Sequence, residues 1–292
     1  MSKNFLLRQF LKVGGSFLAS ASIAIGALCP IVLNSSKALA DSFQLGIPTE
    51  AVNALQSLDS QKINPKAIAF APNGGWVILY GNNNYNAKNI PQKAVDTLKM
   101  LHDQDSRNVI NSITFTPAGE WVIVYNNNGL YPSDNFPQVI YDQLLTLHNK
   151  KSTIQTIAFA PDGAWVIVYD KNGFTPSINF PKEANDKLLA LNKQAATIQT
   201  VINTVAFSPN GGFAIIYNTT QYYLSQNNIP PNLSNAIEQY HKTPYSLVNI
   251  AFTPTNGCAL LYQNVGLGLT NLNTPELLGP PVFTGIINNI HF

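Results

Sequence analysis

Five stretches of the chain carry the same order of apolar and polar positions. They read IAFAPNGGWVILY from Ile68, ITFTPAGEWVIVY from Ile113, IAFAPDGAWVIVY from Ile157, VAFSPNGGFAIIY from Val205 and IAFTPTNGCALLY from Ile250, at intervals of 44 to 48 residues. Each predicts a hairpin. In the first arm Ile68 and Phe70 alternate around Ala69, as a strand requires. Pro72 with Gly74 or Gly75 marks a turn, and Pro117 with Gly119, Pro161 with Gly163 and Pro209 with Gly211 repeat it. The second arm, Trp165-Val166-Ile167-Val168-Tyr169 in the third copy, is apolar throughout. Such a strand has no wet face, so it belongs in the middle of a sheet packed between neighbouring units.

A polar turn follows each second arm in the clearest copies: NNNY after Gly81, NNNGL after Tyr125 and DKNGF after Tyr169. Asn-Gly tolerates positive φ and favours tight hairpins. An apolar residue then sits at a fixed offset, at Tyr85, Leu130, Phe174, Tyr222 and Leu267, and predicts a short third strand. Next come Ile47-Pro48, Ile90-Pro91, Phe136-Pro137, Phe180-Pro181 and Ile229-Pro230. Counted from each proline, apolar residues recur at the third, seventh and tenth places, as Ala94, Leu98 and Leu101 do. That is one stripe on a three-turn helix, with proline suited to its first position.

The pattern predicts an α+β repeat of about 45 residues. The units lie near 48–89, 90–135, 136–179, 180–228 and 229–271. Fragments remain at 41–47 and 272–292. FQLG from Phe43 reads as a third strand without its hairpin, and NNIHF at the C-terminus as a first strand without its partner. Complementary ends predict that the termini meet, giving a propeller-like closed ring of five to six β-β-β-α units. An open α/β solenoid with a decayed fifth unit as its cap, and a pentein-like ring, are the alternatives.

The Phe-x-Pro-[Asn/Asp]-Gly turns at Phe70, Phe159 and Phe207 resemble the strand–turn–strand of WD-repeat and TolB-type propeller blades, and Phe115 to Gly119 departs only at its fourth place. The resemblance covers about thirteen residues per unit and implies a β-propeller. Those families complete each blade with a fourth strand, where this chain has a helix. The ring of mixed units is also similar to the pentein fold of guanidine-modifying enzymes, which implies a reactive Cys with His and acidic partners. Cys258 instead stands at the apolar Trp position of its unit, so that activity is not expected.

Composition adds a compartment. Charged residues are 11% of the 292 and hydrophobic ones 45%, which argues against a disordered chain. Residues 1–40 carry Lys3, Arg8, Lys12 and Lys37 and no acid. The apolar stretch from Val13 to Leu33 and the Ala38-Leu39-Ala40 site complete an export signal. Residues 41–292 are then expected as one mature repeat domain in the periplasm or outside the cell, without a stable membrane span. Losing four of the 17 basic residues and none of the 15 acids leaves that domain slightly acidic. Arg107 is its one arginine, a poor footprint for nucleic acid. Cys258 is its one cysteine, so no internal disulfide forms.

No catalytic constellation, metal-ligand spacing or cofactor motif stands out. Trp76, Trp121, Trp165 and Phe213 read as core. His102, His148 and His241 read as helix C-terminal residues, and Asp103-Gln104-Asp105 as a loop rather than a calcium site. Glu120, Asp134 and Asp142 form no recurring acid pair. The expected binding residues are those of the polar turns: Asn83, Asn84 and Tyr85; Asn128 and Tyr131; Asn172 and Phe174; Gln221 and Tyr222. Repeated turns fall on one rim, where amide and tyrosine side chains suit sugar hydroxyls or a partner's backbone. The expected function is an exported, non-enzymatic protein that binds protein or glycan. A secreted hydrolase and a structural envelope component are the alternatives.

Overall fold

The computed structural model describes residues 46–194, 200–231, 233–241, 245–264 and 284–287. The export signal, Phe43, Leu267, His291 and the NNIHF fragment lie outside the described residues. Five helices, α1 Thr49–Ser60, α2 Gln92–Gln104, α3 Gln138–Asn149, α4 Lys182–Gln194 and α5 Leu233–His241, alternate with five antiparallel meanders. The first sheet is β1 Pro65–Phe70, β2 Trp76–Tyr80 and β3 Asn84–Lys88; the second is β4 Ile110–Phe115, β5 Trp121–Tyr125 and β6 Gly129–Pro132. The third is β7 Ile154–Phe159, β8 Trp165–Tyr169 and β9 Gly173–Pro176; the fourth is β10 Ile202–Phe207, β11 Phe213–Tyr217 and β12 Gln221–Leu224. The fifth is β13 Tyr245–Phe252, β14 Cys258–Asn264 and β15 Thr284–Ile287. Its third strand is Thr284–Ile287, paired from Cys258↔Ile287 to Leu261↔Thr284.

The helices begin one residue later than expected at the first three prolines. Pro48, Pro91 and Pro137 sit at the N-cap, with φ of −52°, −53° and −57° and extended ψ. A fixed φ near −65° serves that half-in residue as well as the first helical one. The proline carbonyl then takes the first turn's donors, as Pro48 O accepts from Ala51 N at 2.9 Å and Val52 N at 3.1 Å.

Each middle strand feeds two cores. Trp121 and Ile123 point into one with Val77 and Leu79 of the preceding sheet, and Ala94, Leu98 and Leu101 of α2 wedge between the two sheets. Val122 and Val124 point the other way, into a core shared with Trp165, Ile167 and the α3 stripe. This alternation is the side-chain period of a strand, and it explains why both faces are apolar. It continues through α4 and α5. It ends where it began: Ala259 and Leu261 of β14 share a core with Trp76, Ile78 and the α1 residues Ala51, Leu55 and Leu58. Strand β13 packs beside β1 as well as β10, and Asn249 Oδ1 accepts from Ile68 N at 3.3 Å. The first strands thus contact one another in the series β1, β4, β7, β10, β13 and β1 again, a propeller-like repeat with a helix wedge where each blade would carry a fourth strand.

Candidate functional site

The helices all run the same way, which gives the circle two unlike faces. One face carries the β2–β3 type turns and the helix C-termini. Asn83 is buried, and its Nδ2 donates to Leu101 O, His102 O and Asp105 O at 3.1–3.4 Å, closing α2. His148 Nδ1 lies 2.9 Å from Asn128 O, and Asn192 Nδ2 donates to Asn172 O at 3.0 Å. The turns also tie each sheet to the next. Asn82 O, Asn127 O, Lys171 O and Thr219 O accept from Ile110 N, Ile154 N, Ile202 N and Leu247 N at 2.7–2.9 Å. Positive φ at Asn126, Asn127, Asp170, Lys171, Asn218 and Thr219 sets this geometry, for which Asn is the best-adapted non-glycine residue.

Each first strand carries a bulge near its start, and in three units the bulged side chain reaches the turn. Asn111 Oδ1 accepts from Asn127 N at 2.8 Å and Asn203 Oδ1 from Thr219 N at 2.9 Å. In the first unit Lys66 takes this place, and its Nζ donates to Gly81 O at 2.8 Å and Asn82 O at 2.6 Å. Half burial among carbonyls, without a carboxylate, pushes its pKa down to about 8.

The remaining expected residues do not form a rim. Tyr85 and Phe174 pack at the margins of the inter-sheet cores, and so does Tyr222. Tyr131 turns to the opposite side of its sheet and stacks on Tyr125 at 5.1 Å between centroids. Gln221 Oε1 accepts from Asn218 Nδ2 at 3.1 Å, and Asn84 begins the edge strand β3. What opens on this face is one polar hollow of about 570 Å³, lined by Asn126, Asn127, Asn128, His148, Asn149, Lys151 and Thr153.

The other face carries the proline turns and the helix N-termini. Ser133, Ser177 and Ser225, each a few residues before a helix, clamp the start of the middle strand. Their Oγ atoms accept from Trp121 N, Trp165 N and Phe213 N at 2.9–3.1 Å. The turns themselves are five copies of one object. The residue before each proline, Ala71, Thr116, Ala160, Ser208 or Thr253, is buried and accepts the N–H three residues on at 2.9–3.1 Å. That third residue is Gly74, Gly119, Gly163 or Gly211 with φ from 83° to 98°, and Asn256 with φ 65° in the fifth copy.

Among these turns lies a cavity of about 230 Å³. Every unit contributes one Phe and one Pro: Phe70 and Pro72, Phe115 and Pro117, Phe159 and Pro161, Phe207 and Pro209, Phe252 and Pro254. Thr116, Ser208 and Thr253 complete the lining, which holds no ionisable side chain. The recurrent Phe-x-Pro was visible in the sequence as a hairpin signature. That five copies converge follows only from the circle.

Among the solved structures similar to this chain are three of repeat proteins. "YCF48 bound to D1 peptide" is 10% identical, with 70% of this chain and 91% of that chain covered and a TM-score of 0.29. "Structure of Dos1 propeller" is 10% identical, covers 70% and 58%, and has a TM-score of 0.27. "YCF48 from Cyanidioschyzon merolae" is 9% identical, covers 73% and 70%, and has a TM-score of 0.24. No protein-family model and no curated protein matches the chain.

The acids and thiol singled out in the sequence do not gather. Asp134 pairs with Lys93 and Asp105 with Arg107. Asp142 accepts from Gln138, Glu120 from Thr116, and Cys258 is buried. Among the described residues no three His, Cys, Asp or Glu side chains cluster to hold a metal ion, and no helix is long and apolar enough to cross a membrane.

Proposed function

We propose that this chain is an exported, non-enzymatic binding protein whose proline-turn face receives a polypeptide partner. The observation that carries this reading is the cavity among the proline turns, to which all five units contribute equivalent Phe and Pro rings. Its lining supplies no group able to move a proton or attack a substrate, which disfavours the hydrolase alternative. Pre-formed apolar cavities with few polar groups are the usual form of a binding site. The basic, then apolar, then Ala-x-Ala order of residues 1–40 supports export.

The test is site-specific photo-crosslinking in the native organism. A photoreactive residue at the exposed Ala118, on the proline-turn face, is expected to yield a covalent adduct with a polypeptide, and one at Asn127 on the opposite face is not. Adducts from Asn127 alone would place the binding face on the wrong side. Recovery of the chain from the extracytoplasmic fraction with Asp41 as its first residue checks export. A second reading, glycan binding, is favoured by the polar hollow around Asn127, His148 and Lys151. A glycan array read against Asn149→Asp tests it.

A further inference from the structure

Five phenylalanines and five prolines border one cavity, and their surroundings limit what it can receive. Resting on the proline-turn face as the binding face, we propose that the cavity takes one uncharged apolar group, an aromatic or branched aliphatic side chain of the partner, and only one per chain. The size fits: about 230 Å³ admits one such group.

The lining's three side-chain hydroxyls are already engaged. Thr116 Oγ1 donates to Glu120 Oε2. Ser208 Oγ donates to Asn228 O and accepts from Gly212 N. Thr253 Oγ1 accepts from Gly257 N at 2.8 Å and lies 3.2 Å from Thr255 Oγ1. A sugar entering the cavity would therefore lose water without gaining a free side-chain partner, which is costly.

Charged ligands fare no better. No side-chain cation or anion lines the cavity. An anion would find no donor in the lining.

The walls are held in place from behind. Phe136 and Phe180, the residues before the α3 and α4 prolines, meet Phe159 and Phe207 edge-on at 6.4 and 5.7 Å. The prolines have fixed φ. A wall that does not have to be ordered on binding leaves more of the contact free energy as affinity. Repetition here makes one site from five units rather than five sites.

The probe set is N-acetyl-phenylalaninamide, N-acetylglucosamine and tetramethylammonium, each titrated into the full mature chain with ¹³C-labelled phenylalanine rings and followed by NMR. Only N-acetyl-phenylalaninamide is expected to shift a group of Phe resonances, along a single-site isotherm. Pro161→Asp, an exposed turn substitution that sets a carboxylate at the rim, should weaken that binding at least tenfold. Pro117→Asp repeats the test at a second turn if the first variant loses its fold, and Asn149→Asp on the opposite face should leave it unchanged. Equal shifts from either other probe, no shift from the first, or an unaltered Pro161→Asp isotherm overturns the proposal. Polypeptide adducts from Ala118 without ring shifts refute the apolar-group assignment and leave the binding face standing. Ring shifts without adducts do the reverse.

Discussion

Leu55 on α1 and Leu144 on α3 occupy the same place in two wedges, and comparing their truncation tests whether the circle closes. Leu144 lies between the second and third sheets, fully inside the chain's order. Leu55 lies in the wedge whose second wall, Ala259 and Leu261, comes from the far end of the sequence. Their exposures are 0% and 3%. Leu→Ala removes about three carbons, which at ~0.8 kcal/mol per methylene is about 2.4 kcal/mol of transfer free energy. A residual cavity raises the cost to about 3–4 kcal/mol. In a closed circle both variants lose that amount, within about 1 kcal/mol of each other, and Tm falls by roughly 2–4 °C per kcal/mol for a domain of this size. In an open stack α1 would be covered on one side only, and Leu55→Ala would cost about half as much. Urea unfolding followed by tryptophan emission gives the two costs. Native-state hydrogen exchange shows whether β1 and β2 open alone. A Leu55→Ala cost near 1 kcal/mol, or early exchange confined to the first unit, would refute closure.

Three further outcomes follow from single residues. Asn83→Ala leaves the α2 carbonyls without their shared donor and should cost about 1–3 kcal/mol, read by thermal unfolding. Asn256→Gly puts glycine at the one proline turn that lacks it and removes a buried amide oxygen with no hydrogen-bond partner; it should stabilise by about 0.5–1 kcal/mol. Lys66 has its folded pKa pushed down to about 8 from 10.5. Between those values the unfolded chain therefore holds more protons, so the Lys66 contribution to stability rises with pH from about 8 to 10.5 and levels off below 8. Subtracting the stability of Lys66→Met from that of the wild type at each pH isolates this increment, because Tyr85, Tyr125, Tyr217 and Tyr223 titrate in both proteins.

The repeat, its hairpins, four of the five third strands and the helical stripes were legible because each follows from a period of two or 3.6 in the apolar positions. The fifth third strand was not. Thr284–Ile287 is separated from β14 by nineteen residues, and periodicity says nothing of a strand's partner. The polar turns were read correctly as turns, but the Asn83 amide faces inward. Sequence shows that Asn83 stands in a turn; it does not show that the turn abuts the C-terminus of α2. The cavity's Phe and Pro rings were hidden for a related reason. Within one unit Phe70 and Pro72 look like hairpin chemistry, and only angular repetition about an axis turns five hairpins into one cavity.

The alternation of middle-strand side chains into successive wedges also bears on how such a chain can change length. Every unit owns half of two interfaces and the whole of none. Duplicating a unit in a linear stack adds one more step to a staircase. In a closed ring of five units the steps return to the starting point, so each junction turns the chain by a fifth of a revolution. One more or one fewer copy would require every remaining junction to tilt anew at once. Selection can therefore trade side chains at a turn or a rim freely, but it meets unit number as a quantised property of the whole circle.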